Sequence, residues 1–164
     1  MTTLERLLRH DAWTTRQLLT IACTLMDADL DREFDIGHRS LRRTLVHIIA
    51  NMECWYDLMS GRPQRPGGAG AQNTIAGLTD RLDRVGAELL ELGRRVETEN
   101  RADETFADYL DLPPRQKALG AGLAHIITHS MHHRAQCLHL MRRLGMENLM
   151  EGDVFTWENG NRGA

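Results

Sequence analysis

The sequence lacks any apolar run of about 18 residues, so it offers no membrane-spanning helix. It also lacks a surplus of charge: 20 basic side chains stand against 23 acidic ones, a formal charge of -3. Proteins that bind nucleic acid or an anionic membrane carry a basic face that this balance does not supply. Neither nucleic acid nor membrane is therefore expected as a partner. Cysteine is scarce. Cys23, Cys54 and Cys137 are odd in number and far apart, and form neither a CxxC pair nor a disulfide framework. The opening residues reach His10-Asp11 without the apolar run of a secretion signal. A reducing cytoplasm is the expected location. No internal repeat or low-complexity segment is present.

What remains is the composition of an ordinary domain. With 164 residues, 41% of them apolar, the chain suits one domain spanning 1–164, large enough to bury a core without disulfides. Helical periodicity predicts four helices. The first runs from Thr3 to Met26, with Leu4, Leu7, Leu8, Leu18 and Leu19 at spacings of three and four and Thr2 or Thr3 as its cap. The second runs from Ser40 to Ser60 and is apolar around nearly its whole circumference, the mark of a buried helix. A Gly/Pro-rich crossover follows from Gly61 to Gly70. The third helix, Thr74 to Glu97, carries one clean stripe: Ile75, Leu78, Leu82, Val85, Leu89, Leu92 and Val96. Residues Asn100 to Pro114 read as an irregular connection, because Pro113-Pro114 bars a helix. The fourth helix runs from Arg115 to Leu144 and stops at Gly145, and Met146 to Ala164 reads as a polar tail. No strand is evident. The fold class is all-α, a helix bundle.

Histidine is abundant: five of the eight lie between His125 and His139. At about 100° per residue, His133 falls near the centre of the fourth helix's inward stripe and His129 about 40° to one side. Four residues apart, the two rings share a face and can reach one ion. The zinc-protease motif HExxH has this spacing, but it needs a glutamate as general base where Ser130 stands. Two imidazoles turned inward are costly unless hydrogen-bonded or metallated. His47 sits among Leu45, Val46, Ile48 and Ile49. Periodicity leaves it open between a core histidine and a ligand. His10 and His38 are expected in solvent, His132 and His139 on the outer face, and His125 on the flank. Arg134 reads as an exposed helix arginine, with an anionic substrate as its alternative partner. Cys54 and Cys137 read as small core fillers.

Two segments, Ser40 to Trp55 (SLRRTLVHIIANMECW) and His129 to Gln136 (HSMHHRAQ), carry a resemblance to the DinB/YfiT-like metalloprotein superfamily. His10-Asp11-Ala12-Trp13 and Gly152 to Glu158 add to it, and the likeness covers nearly the whole chain. Ala135 departs from the glycine that many members carry there. The resemblance implies an up-down-down-up four-helix bundle with a long crossover between helices two and three. It also implies a three-histidine metal site, which carries onto His47, His129 and His133. Imidazole ligands suit zinc or nickel first, with iron and copper also possible. Three protein ligands leave positions open for water or substrate, as in catalytic rather than structural sites. Similar proteins include bacillithiol- and mycothiol-dependent transferases, which implies a metal-dependent thiol S-transferase in detoxification or stress. A low-molecular-weight thiol or another small molecule would then be the partner. Two alternatives stand beside it: a hydrolase acting through metal-bound hydroxide, and a non-enzymatic, stress-induced metal- or ligand-binding dimer. A homodimer is expected in each case.

Overall fold

A computed structural model describes residues 1–67, 70–150 and 152–161. Helix α1 (Thr3–Ala22) starts where the Thr2 hydroxyl accepts the Glu5 amide, and Glu5 itself sits at the positive helix end. It stops four residues before the expected Met26, and the acidic stretch after it forms a single turn, α2 (Asp27–Leu30). Ser40 caps α3 (Leu41–Met59) through the Arg43 amide, and Thr74 caps α4 (Ile75–Thr98) through the Gly77 amide. Helix α5 (Leu119–Arg143) ends before Gly145, whose φ of +86° is the left-handed conformation that glycine adopts freely.

Two elements correct the sequence reading. Thr105–Asp108 (β1) and Arg115–Ala118 (β2) pair antiparallel, so α5 begins at Leu119 rather than Arg115. Each strand has four residues, too few to show an alternating pattern. Tertiary contacts hold the hairpin, with Phe106 meeting Trp55 edge-on and Lys117 over the Trp55 ring, and the Lys117–Asp108 ion pair ties its two strands together. The supposed polar tail contains α6 (Val154–Asn161), where the Asp153 carboxylate accepts the Phe155 and Thr156 amides.

The four long helices form a ring of contacts. Helix α1 packs on α4 and α5, and α3 packs on the same two. One continuous core results, with Leu19, Leu45, Ile48, Ile49, Leu78, Leu82, Leu123 and Leu140 essentially inaccessible. As its apolar circumference predicts, α3 is buried on most sides. Helices α3 and α5 approach closely because Gly122 has no side chain. A Cβ there would lie 2.6 Å from Met59 Sδ.

Two buried ion pairs tie the ring. Arg81 on α4 grips Glu53 on α3 with two bonds of 2.7 and 3.1 Å, and also donates to Asn73 Oδ1 at 2.9 Å. Arg134 on α5 pairs with Asp11 on α1. The crossover is pinned by Arg65, which reaches Asp57 on α3 and Glu88 on α4. Among the described residues, no helix is long and apolar enough to cross a membrane.

Candidate metal centre

The packing of α3 on α5 brings His47 opposite the two-histidine face of α5. His129 Nε2 lies 3.2 Å from His47 Nε2 and 3.2 Å from His133 Nε2. The ring centroids are 4.4 to 4.9 Å apart. His133 is buried and the other two are half-buried, so the cluster can be reached from solvent. Thus the three residues singled out by spacing and resemblance converge.

The structure adds a fourth. His38, expected in solvent, stacks on His47 with centroids 3.8 Å apart. Donor nitrogens of His38, His47 and His133 all lie within 4.8 Å of one another, so this trio can also hold an ion. The two trios share His47 and His133. His129 makes the two shortest contacts, whereas the mutual approach of all three donor nitrogens within 4.8 Å is seen for His38, His47 and His133. His38 lies in a turn, where no periodicity marks which way a side chain faces. Its neighbour Gly37 was the one local signal.

The hydrogen bonds set the proton positions. His133 Nδ1 lies 2.9 Å from Gln136 Oε1, an acceptor, so Nδ1 carries the proton and Nε2 presents a lone pair. The Gln136 amide nitrogen faces His132 Nε2 at 3.1 Å, which agrees with this amide orientation. His129 Nε2 then faces two nitrogens and can donate to only one of them. Its Nδ1 is buried without a partner. Burial first, then the neighbouring imidazoles, pulls His47 and His129 down to about 4. Burial and His133 lower His38 as well. At neutral pH these imidazoles are uncharged, each with one nitrogen lone pair, crowded together without a counter-charge.

A divalent ion fits that arrangement. Two nitrogens sharing a tetrahedral ion at about 2.0–2.1 Å stand about 3.3 Å apart. The two Nε2 separations from His129, to His47 and to His133, are each 3.2 Å.

Around the cluster, His125 is exposed and turns its ring toward Trp55 and His129, at 4.9 and 5.3 Å. Lys117 of β2 lies 5.1 Å from the Trp55 ring centroid. His132 and His139 are exposed, as expected. His10 is not free in solvent: its Nε2 meets the Gly152 carbonyl at 2.7 Å, beside Trp13 and Trp157. Both sequence readings of Arg134 fail, because its guanidinium is buried against Asp11. Burial pushes the Asp11 carboxyl up to about 6, and the Arg134 charge holds it from rising further. Burial also pushes the Cys137 thiol up to about 12 and raises that of Cys54, which suits core fillers rather than nucleophiles. Ala135 is exposed, away from the cluster.

No curated protein matches the chain. Among solved structures, a protein described as a member of the DinB family, from Exiguobacterium sibiricum, is similar at 20% identity with a TM-score of 0.62. The match covers 93% of this chain and 99% of that one, and shows a common fold. The model of the DinB family matches residues 1–157. By that match, the chain belongs to the DinB family.

Proposed function

We propose that the protein holds one divalent ion on His47, His129 and His133 and is a metal-dependent thiol S-transferase in detoxification or stress, taking a bacillithiol- or mycothiol-type thiol. The observation that carries the metal reading is the pair of 3.2 Å Nε2 contacts at His129. Zinc or nickel is the first choice for an all-imidazole set, with iron or copper after them. An ion held by neutral ligands keeps its full positive charge and lowers the pKa of a thiol or water at an open position toward neutrality.

The chain's own residues supply the rest. His47 and His129 stay neutral at pH 7, so each keeps a lone pair available to an ion. Gln136 fixes the His133 ring and its tautomer. Trp55 and His125 form an aromatic wall one helical turn from His129, where the carbon skeleton of an electrophile can pack. No carboxylate joins the set of groups close enough to share an ion among the described residues. That favours thiol transfer, which needs only an acidified nucleophile, over hydrolysis assisted by a carboxylate base. The up-down-down-up helix order is part of the same reading, supported by the ring of helix contacts and the crossover after α3. So are a cytoplasmic location and a homodimer. A cleft between α1 and α4, with an apolar floor of Ala12, Trp13, Gly86 and Leu90 and a charged rim that includes Arg9 and Asp83, supports the latter.

The test is metal analysis of the purified protein beside His133→Ala, followed by thiol transfer to a panel of electrophiles before and after chelation. Full metal retention by the variant would sink the site. Transfer unaffected by chelation would sink the mechanism, and product formed without added thiol would identify a hydrolase.

A further inference from the structure

The turn before α3 delivers its imidazole to the cluster by an unusual backbone path. His38 stands between Gly37 (φ +49°) and Arg39 (φ +72°). Left-handed backbone is disfavoured for a residue with a Cβ, and it persists only where the surroundings over-determine it. Here they do. The Phe34 amide donates to the Arg39 carbonyl at 2.7 Å, and the Arg39 amide to Ile36 at 2.8 Å. The Arg39 guanidinium holds Glu33 at 2.7 Å, and Arg143 of α5 covers the Phe34 ring at 4.7 Å. Gly37 lies so close to α5 that a Cβ on it would sit 2.5 Å from Gln136 Oε1. The turn therefore docks on the same glutamine that orients His133.

The consequence is a ring placed where an ion would meet it. His38 stacks on His47 and lies 5.2 Å from His133 between centroids. Its nitrogen is within 4.8 Å of theirs. The two trios share His47 and His133; His129 completes one from a helix and His38 the other from a turn.

We infer that His38 is a fourth, displaceable ligand of the ion, occupying at rest the position that a small thiol must take. This rests on the reading of His47, His129 and His133 as the helix-borne site. Neutral imidazole and incoming thiolate compete for one position, and exchange needs only the His38 side chain to swing out of it. The helices, locked by their core, stay in place.

The test uses the full chain loaded with one equivalent of cobalt(II), with X-ray absorption counting imidazole ligands and 2-mercaptoethanol as the thiol probe. The wild type should show four imidazoles, and His38→Ala should show three with one ion still bound. A position occupied by His38 nine-tenths of the time weakens an incoming ligand roughly tenfold, so the variant's cobalt–thiolate band should develop at roughly tenfold lower thiol. His38→Phe keeps a flat ring against His47 without a nitrogen, and should behave like His38→Ala. Three imidazoles in the wild type, with identical thiol titrations in all three proteins, would overturn the role of His38 and leave the helix-borne site intact. Wild-type metal affinity in His129→Ala would overturn that underlying site, and the inference with it.

Discussion

Helix α5 carries His133 and Arg134 side by side, and the two side chains enter different environments. Arg134 turns toward α1 and finds Asp11, a partner of opposite charge in a dry interface. Arg81 and Glu53 repeat that arrangement between α4 and α3. His133 turns toward α3 and finds His47, His129 and His38, all of its own kind. The charge pairs are complete within the chain. The imidazole cluster is not: His129 Nδ1 has no partner, and the Nε2 atoms face one another. A buried polar group satisfied by its neighbours holds a fold together, whereas one left wanting marks a place for something from outside.

The sharpest way to break this comparison is to remove one member of a completed pair. Arg81→Met strands the Glu53 carboxylate, and unfolding in urea should show a loss of about 3–5 kcal/mol. Arg81→Met with Glu53→Leu should recover most of it, because an apolar replacement leaves no orphan charge. Arg134→Met should cost less than Arg81→Met, since burial already pushes Asp11 up to about 6 and the stranded carboxyl can take a proton. A loss below about 1 kcal/mol for Arg81→Met would mean that the pair is not structural.

The imidazole cluster should respond the opposite way. His129→Ala should weaken metal binding by more than the roughly 10–100-fold attributed to losing an outer partner of a ligand. Calorimetry on chelated protein should show its Tm unchanged or raised. Gln136→Leu belongs to the milder class, with metal affinity weakened roughly 10–100-fold. A Gln136→Leu protein that binds metal like the wild type would separate the His133–Gln136 bond from the site.

The sequence was informative where helical periodicity applies and silent where it does not. His129 and His133 could be placed on one inward face because a regular helix fixes the angle between them. The apolar circumference of α3 gave His47 no preferred face, and only the family resemblance singled it out. A stripe is drawn from apolar residues, so it leaves Arg134 on the outside even though Asp11 draws it in. No periodicity orders the turn at His38. The four-residue strands of the hairpin and the Gly- and Asn-containing α6 are too short or too weakly patterned to stand out against their flanks.

The smallest effect is the dependence of metal-free stability on pH, and its sign follows from which state binds more protons. In the unfolded chain His47 and His129 titrate near 6.5; in the fold, burial and then the neighbouring imidazoles, His133 among them in both cases, hold them at about 4. Between those values the unfolded chain is the more protonated, so stability rises with pH across that window. The full contribution is present above 6.5 and is lost as the pH falls toward 4. Chelated protein should therefore melt lower at pH 5 than at pH 7, and His47→Ala with His129→Ala should flatten the difference. The Asp11–Arg134 pair acts with the opposite sign: burial raises the Asp11 carboxyl to about 6, so over part of the same window the fold holds the extra proton there and gains stability as the pH falls. If the double variant keeps the wild-type slope, the imidazole cluster is not the source of the acid sensitivity.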